Sequence, residues 1–143
     1  MGTIDELTAH LDLLTRKAAT LPRDVAEVVA PILALNVRTV MGDNMKLQDL
    51  AESTQIERLG LGYTANDPLV RSGELRDSVM PEVVGVFGSE FAAAGSEDPR
   101  SGWLEFGTAT IPARPSFEIG LMETEMVAKG VSLNASVKLL RDS

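Results

Sequence analysis

Side chains able to do covalent chemistry are few in this chain and stand apart from one another. His10 is the single histidine, and nothing around it forms a catalytic triad or a His-x-x-x-His metal pair. It reads as a partly exposed surface residue. Cysteine is absent, which removes disulfides and thiolate metal sites. Asp43-Asn44 reads as a helix cap or turn, because the Asp-x-Asp-x-Asp-Gly spacing of a calcium loop is missing. Gly60-Leu61-Gly62 is too short and wrongly placed to cradle a phosphate. A small hydrolase would have to draw on scattered carboxylates converging in a cleft with shifted pKa values. The expectation is no enzyme, no metal and no cofactor.

The most informative stretch is Trp103-Leu104-Glu105-Phe106-Gly107-Thr108, followed by Ala109-Thr110-Ile111 and then Pro112-Ala113-Arg114-Pro115. An apolar run with one acid breaks at Gly107, and a loop stiffened by Pro112 and Pro115 carries one arginine. Such a loop holds one shape and suits presentation to a neighbour. Glu105 and Arg114 admit two arrangements. One is a local ion pair that steadies the loop, worth about 0–1 kcal/mol when exposed. In the other, one of the two reaches across a subunit boundary, where a guanidinium fork fixes register. Phe106 is expected in the core, and Trp103 as a partly exposed anchor.

The elements that must position this stretch are mainly helical. Ile4, Leu7, Leu11 and Leu14 form one stripe at spacings of three and four, with Thr3 and Glu6 as a capping box. Packing on the domain's own core is the expectation for that stripe, since two heptads are too few for a coiled coil. Leu21-Pro22 should end the first helix, and a second runs from Val25 to Val40 with Pro31 kinking or splitting it. Leu47, Leu50 and Ala51 suggest a short helix, and Ser53 or Thr54 a cap for a turn through Ile56 and Leu59. Gly60, Gly62, Asn66, Asp67 and Pro68 punctuate a loop. Residues 72–78 read as a capped single turn.

Val83-Val84-Gly85-Val86-Phe87 is the strongest strand signal, continuous rather than alternating, so both faces should be covered. Residues 91–102 read as a small-residue hairpin tip or mobile loop. Phe117, Leu121, Met122 and Met126 open a last helix that Gly130 should interrupt. The expected fold is α+β: a small, mostly antiparallel sheet packed with helices, with long N-terminal helices and a C-terminal helix. The whole chain, 1–143, reads as a single domain: an N-terminal helical region over 1–45, then an α+β core over 46–143.

Composition sets the outer limits. The chain is 44% hydrophobic, 24% charged and only 4% aromatic, an ordinary globular balance with a core of aliphatic side chains. No apolar run approaches the roughly 20 residues of a membrane span, and no basic start or apolar core of a signal peptide opens the chain, so no membrane partner is expected. The formal net charge of −8 argues against tight nucleic-acid binding, which draws on Lys and Arg at phosphates. It remains compatible with a conduit that DNA passes without being gripped, and with plain solubility.

At these residues the chain resembles the tail-completion, or head–tail joining, proteins of tailed bacteriophages, also grouped under phage virion morphogenesis. The late signature of that family is Glu-Phe-Gly-Thr after an aromatic or aliphatic pair, then Pro-x-Arg-Pro and a Phe opening the last helix. Here these are Trp103-Leu104-Glu105-Phe106-Gly107-Thr108, Pro112-Ala113-Arg114-Pro115 and Phe117. Upstream, Pro68-Leu69, Ser72-Gly73 and Leu75-Arg76-Asp77-Ser78 precede the valine-rich strand, and Leu50-Ala51-Glu52-Ser53-Thr54 comes earlier still. The match runs over residues 47–121. It departs at Ser116, inserted where the family has Phe directly after Arg-Pro, and at the long connection 91–102.

The resemblance implies a structural virion protein of the neck or head-proximal tail, present in the host cytoplasm during assembly. Copies would form a homo-oligomeric ring, a hexamer by the family's tail symmetry, touching connector or stopper proteins and tail-tube or terminator proteins. DNA would pass through without specific binding. It makes Trp103, Glu105, Phe106, Gly107, Thr108, Pro112, Arg114, Pro115 and Phe117 the candidate ring or partner contacts. A tail terminator or stopper ring, of a phage or of a gene-transfer particle, is the nearest alternative.

Overall fold

A computed structural model of the chain describes residues 3–43, 45–63, 65–66, 68–70 and 72–142. Asn44 and Asp67, expected in turns from the sequence, lie outside this set. The fold is α+β, a long N-terminal helix and a C-terminal helix packed with a two-stranded antiparallel sheet. Helix α1 spans Ile4–Val40, α2 Glu52–Gly60, α3 Glu74–Asp77, α4 Arg100–Phe106 and α5 Ser116–Arg141. Strands β1 (Met80–Val84) and β2 (Phe91–Gly95) pair with Met80 opposite Gly95 and Val84 opposite Phe91. Among the described residues no helix is long and apolar enough to cross a membrane.

Helix α1 starts where the sequence places it. The Thr3 hydroxyl accepts the Glu6 N–H at 3.1 Å, and the Glu6 carboxylate accepts the Thr3 N–H at 2.9 Å. It does not end at Leu21-Pro22, nor does Pro31 divide it; both prolines lie inside one helix. Pro31 sits on the exposed side, where water can take the backbone carbonyl it leaves without a donor. The opposite side, Ala26, Val29, Ala30, Leu33, Ala34 and Val37, is buried. That burial outweighs a local cost of about 3 kcal/mol for an interior proline.

Helix α5 runs antiparallel to α1. It too is unbroken: Gly130 does not interrupt it, since one helical glycine costs only about 1 kcal/mol and the flanking turns pack on α1. The tightest approach is at Gly120, where an added Cβ would stand 2.6 Å from Val37 Cγ2 and 2.9 Å from the Val37 backbone. One turn on, Asn36 donates to the Thr124 hydroxyl at 2.8 Å, and that hydroxyl donates to the Gly120 carbonyl at 2.7 Å. The last turn of α5 reaches α1 beside Lys17 and Leu21. The first turns of α1 therefore extend past the end of α5. The stripe expected to face the core is consequently solvated, with Ile4 82% exposed and Leu7 and Leu11 about half exposed.

The hairpin also differs from expectation. β1 begins three residues earlier than the valine run, and Val86 and Phe87 lie in the turn, each 74% exposed. Neither face of β1 is fully covered. The segment 91–102 is no simple loop: it supplies β2 and the start of α4. Its alanines are small because β2 lies close against α1, with Ala94 packed on the core. The core joins Leu33, Val37 and Val40 of α1 to Leu47, Leu75 and Val79. Leu47 enters it from an irregular turn rather than from a helix, and α2 starts at Glu52 without a side-chain cap, leaving Ser53 and Thr54 inside it. The 72–78 turn is seen as α3, entered through Gly73 at φ 87°.

The Gly120 contact yields a direct test. Gly120→Ala gains helix propensity but forces a methyl into Val37, so the net expectation is a loss of about 1–2 kcal/mol. A urea melt followed by circular dichroism reads this as a lower midpoint at unchanged slope. An unchanged or higher midpoint would show that the two helices can part without cost.

Candidate functional site

Residues 103–117 connect the sheet side of the molecule to the start of α5, and the Glu105, Thr108 and Arg114 side chains are engaged within the chain. Ahead of α4, the Asp98 carboxylate accepts the Arg100 N–H at 3.0 Å and grips the Arg100 guanidinium at 2.6–3.1 Å. That guanidinium first, and the backbone N–H second, hold the Asp98 carboxyl below the usual range. α4 stops at Gly107, which adopts φ 76°. A Cβ there would meet the Ala113 nitrogen at 2.9 Å and the Ile111 carbonyl at 3.0 Å, so this turn admits only glycine without rearrangement. Thr108 closes the loop, donating its N–H to the Ile111 carbonyl at 2.8 Å and accepting the Ile111 N–H on its hydroxyl at 3.1 Å. The Arg114 N–H returns to the Leu104 carbonyl at 2.7 Å.

Glu105 and Arg114 do not pair with each other. The Glu105 carboxylate accepts the N–H groups of Phe117 at 2.8 Å and Glu118 at 3.2 Å. It caps α5 from the preceding helix, placing negative charge at the positive end of the helix dipole. Pro115, at the local cap position, supplies no side-chain hydrogen bond. Arg114 is only 6% exposed. Its Nε donates to the Gln48 carbonyl and its Nη2 to the Asp49 carbonyl, both at 3.0 Å. These carbonyls lie in the connection between α1 and α2. Burial, and then the neighbouring positive Arg58, push the Arg114 guanidinium below the ordinary arginine value. The residue acts as an internal clamp, and the local Glu105–Arg114 ion pair considered from spacing is not formed.

The same neighbourhood holds Leu69, mostly buried at φ 68°, a left-handed conformation that costs a branched side chain about 1–2 kcal/mol. Flanking bonds hold it there: the Gly42 N–H to the Pro68 carbonyl at 2.6 Å, and Arg58 Nη1 to the Val70 carbonyl at 3.2 Å. Arg58, Leu69, Gly73, Leu104 and Arg114 line one shallow pocket. The two family-like segments, 68–78 and 103–117, thus meet in space.

Two of the three aromatic residues of the segment turn outward. Phe106, expected in the core, is 84% exposed, and Trp103 is 58% exposed. Thr108 and Pro112 are also exposed, whereas Pro115 and Phe117 are half-buried. Phe117 packs on the core; Ser116 is buried as the first residue of α5 and donates its N–H to the Arg114 carbonyl at 2.9 Å. A separate apolar groove of about 740 Å³ runs between α1, α5 and β2, lined by Leu21, Val25, Val29, Phe91, Leu121 and Met122. Periodicity did not point to it, because it arises where three elements diverge. Among the described residues no group of three His, Asp or Glu is placed to hold a metal. No family model matches the chain, and neither curated proteins nor solved structures give a match.

Two outcomes follow. Arg114→Ala leaves two carbonyls without charged donors and should cost the isolated chain about 2–4 kcal/mol; Arg114→Lys should recover only part, since a point charge cannot span both acceptors. Equal stability of Arg114→Ala and the parent in denaturant would refute the clamp. For Asp98, a depressed folded pKa means its contribution is present above its unfolded value near 3.9 and is lost as pH falls through the lower folded value. Emission from Trp103, the only tryptophan, should therefore change in that window in the parent, with the step missing in Asp98→Asn. Identical acid titrations of the two would discard the link.

Proposed function

We propose that the chain is a structural virion protein of a tailed bacteriophage, forming a ring at the head–tail interface that completes or joins the tail and leaves a channel for DNA. One observation carries this reading. Trp103 and Phe106 stand outward on a segment whose backbone turn, acid and arginine are all engaged inside the chain. An exposed aromatic pair on a rigid support is costly in water, and its use is to seat in a neighbour at little further ordering cost. The resemblance of this segment to the tail-completion signature gives the neighbour its identity: another copy, or the adjoining neck and tail proteins.

Other features support the same reading. The uncovered first turns of α1 and the apolar groove are two different surfaces, as a heterologous contact closing into a ring of about six copies requires. The net charge of −8 suits a wall past which DNA slides. In this reading the buried residues of the signature, Arg114 above all, shape the contact from within, and Trp103 and Phe106 make it.

Phe106→Ser provides the test. Its side chain is exposed, so the isolated chain should keep its stability to within about 0.5 kcal/mol. Joined, infectious particles should fall at least about thirtyfold, as for loss of an interface anchor. Undiminished joining, or density for this chain away from the neck in electron microscopy of intact particles, would overturn the proposal.

A further inference from the structure

Helix α5 is apolar on both sides. One side packs on α1 through Phe117, Gly120 and Thr124. The other carries Met126, Leu133, Val137 and Leu140, spaced seven, four and three apart and exposed by 79, 64, 51 and 70%. A helix with apolar stripes on two sides needs a second partner to bury both. These four side chains expose on the order of 500 Å², against about 800 Å² per partner in a standard interface, so flanking atoms bring one helix face to the required size. Gly130 lies in the middle of the stripe, and a Cβ there would meet nothing within 4 Å. The backbone is open to close approach at that point.

Charge identifies what covers this face. The acids Glu118, Glu123 and Glu125 all precede Met126, and the bases Lys129, Lys138 and Arg141 all follow it. Glu123 is engaged with Lys46 and Glu125 with Lys129, exposed pairs of small worth that can exchange partners. A second α5 laid parallel would set acids on acids and bases on bases. Laid antiparallel, it sets each acidic half on a basic half. We propose that the outer face of α5 pairs with the same face of a second copy of this chain, antiparallel about a twofold axis near residues 130–133. Such an isologous contact is self-complementary and closed, with Leu133 of each copy seated against Gly130 of the other. The pairing uses no residue of the 103–117 segment and stands independently of the ring reading.

Sedimentation of the full chain at micromolar concentration should give a dimer; a monomer throughout overturns the proposal. Leu133→Glu should weaken the dimer at least about thirtyfold while leaving the circular dichroism spectrum unchanged. Leu140→Lys, in the last turn of α5, should do the same, and dimers that persist in both variants would overturn the assigned surface. The chain has no cysteine, so introduced thiols report direction. Under oxidation, Met126→Cys should cross-link with Val137→Cys and not with itself. Self-linking by Met126→Cys would mean a parallel pair and overturn the antiparallel assignment.

Discussion

A guanidinium inside a protein requires acceptors, and Arg114 has them in two consecutive carbonyls of the connection that follows α1. That requirement ties three parts of the chain together. The connection between α1 and α2 must present its carbonyls inward, the 107–113 loop must deliver the arginine, and α5 must start directly after it. The Glu105 carboxylate completes the arrangement by holding the first N–H groups of α5. With its start fixed at one end of α1, α5 has one course open to it, back along α1 through the Gly120–Val37 contact. Burial of the Val37 and Val40 face then follows from the direction in which α5 is launched.

The same course leaves much apolar surface uncovered. One helix and a two-stranded hairpin cannot enclose a 37-residue helix, and a small domain has little else to offer. The first turns of α1, the groove beside β2, the outer stripe of α5 and the aromatic pair of α4 all remain in contact with water. Exposed patches on that scale are ordinarily contact sites. In the proposed assembly, neighbouring subunits would cover what the single chain leaves open. The rigid support beneath Trp103 and Phe106 and the soft, methionine-containing stripe on α5 suit different kinds of contact. One is preformed, and the other adapts.

Much of the local structure was legible in the residues. The Thr3–Glu6 capping box, the helical extent of the first forty residues, the turn at 72–78 and the end of α4 at Gly107 all rest on interactions between neighbours in sequence. The errors share a cause. Pro22, Pro31 and Gly130 are local helix breakers, and each was overridden by packing of the flanking turns against a distant helix. The alanines of 92–94 read as loop because nothing local shows that α1 lies against them. Phe106 read as core because a large aromatic beside Leu104 fits an interior, and only the direction of a short helix decides otherwise.

The amino-acid sequence by itself determined the α+β class, the Thr3–Glu6 cap of α1, the turn at 72–78, the break at Gly107 and the absence of cysteine chemistry. Its two informative motifs were visible as residue types at fixed spacing. What they do was decided by tertiary structure. Glu105 caps a helix that begins 11 residues later, and Arg114 holds carbonyls 65 and 66 residues away. Hydrogen bonds of that range carry no periodicity and no local propensity, because their partners become neighbours only when the helices pack. The exposed faces have the same origin: a stripe on a helix is written in sequence, but whether anything covers it depends on where the other helices end.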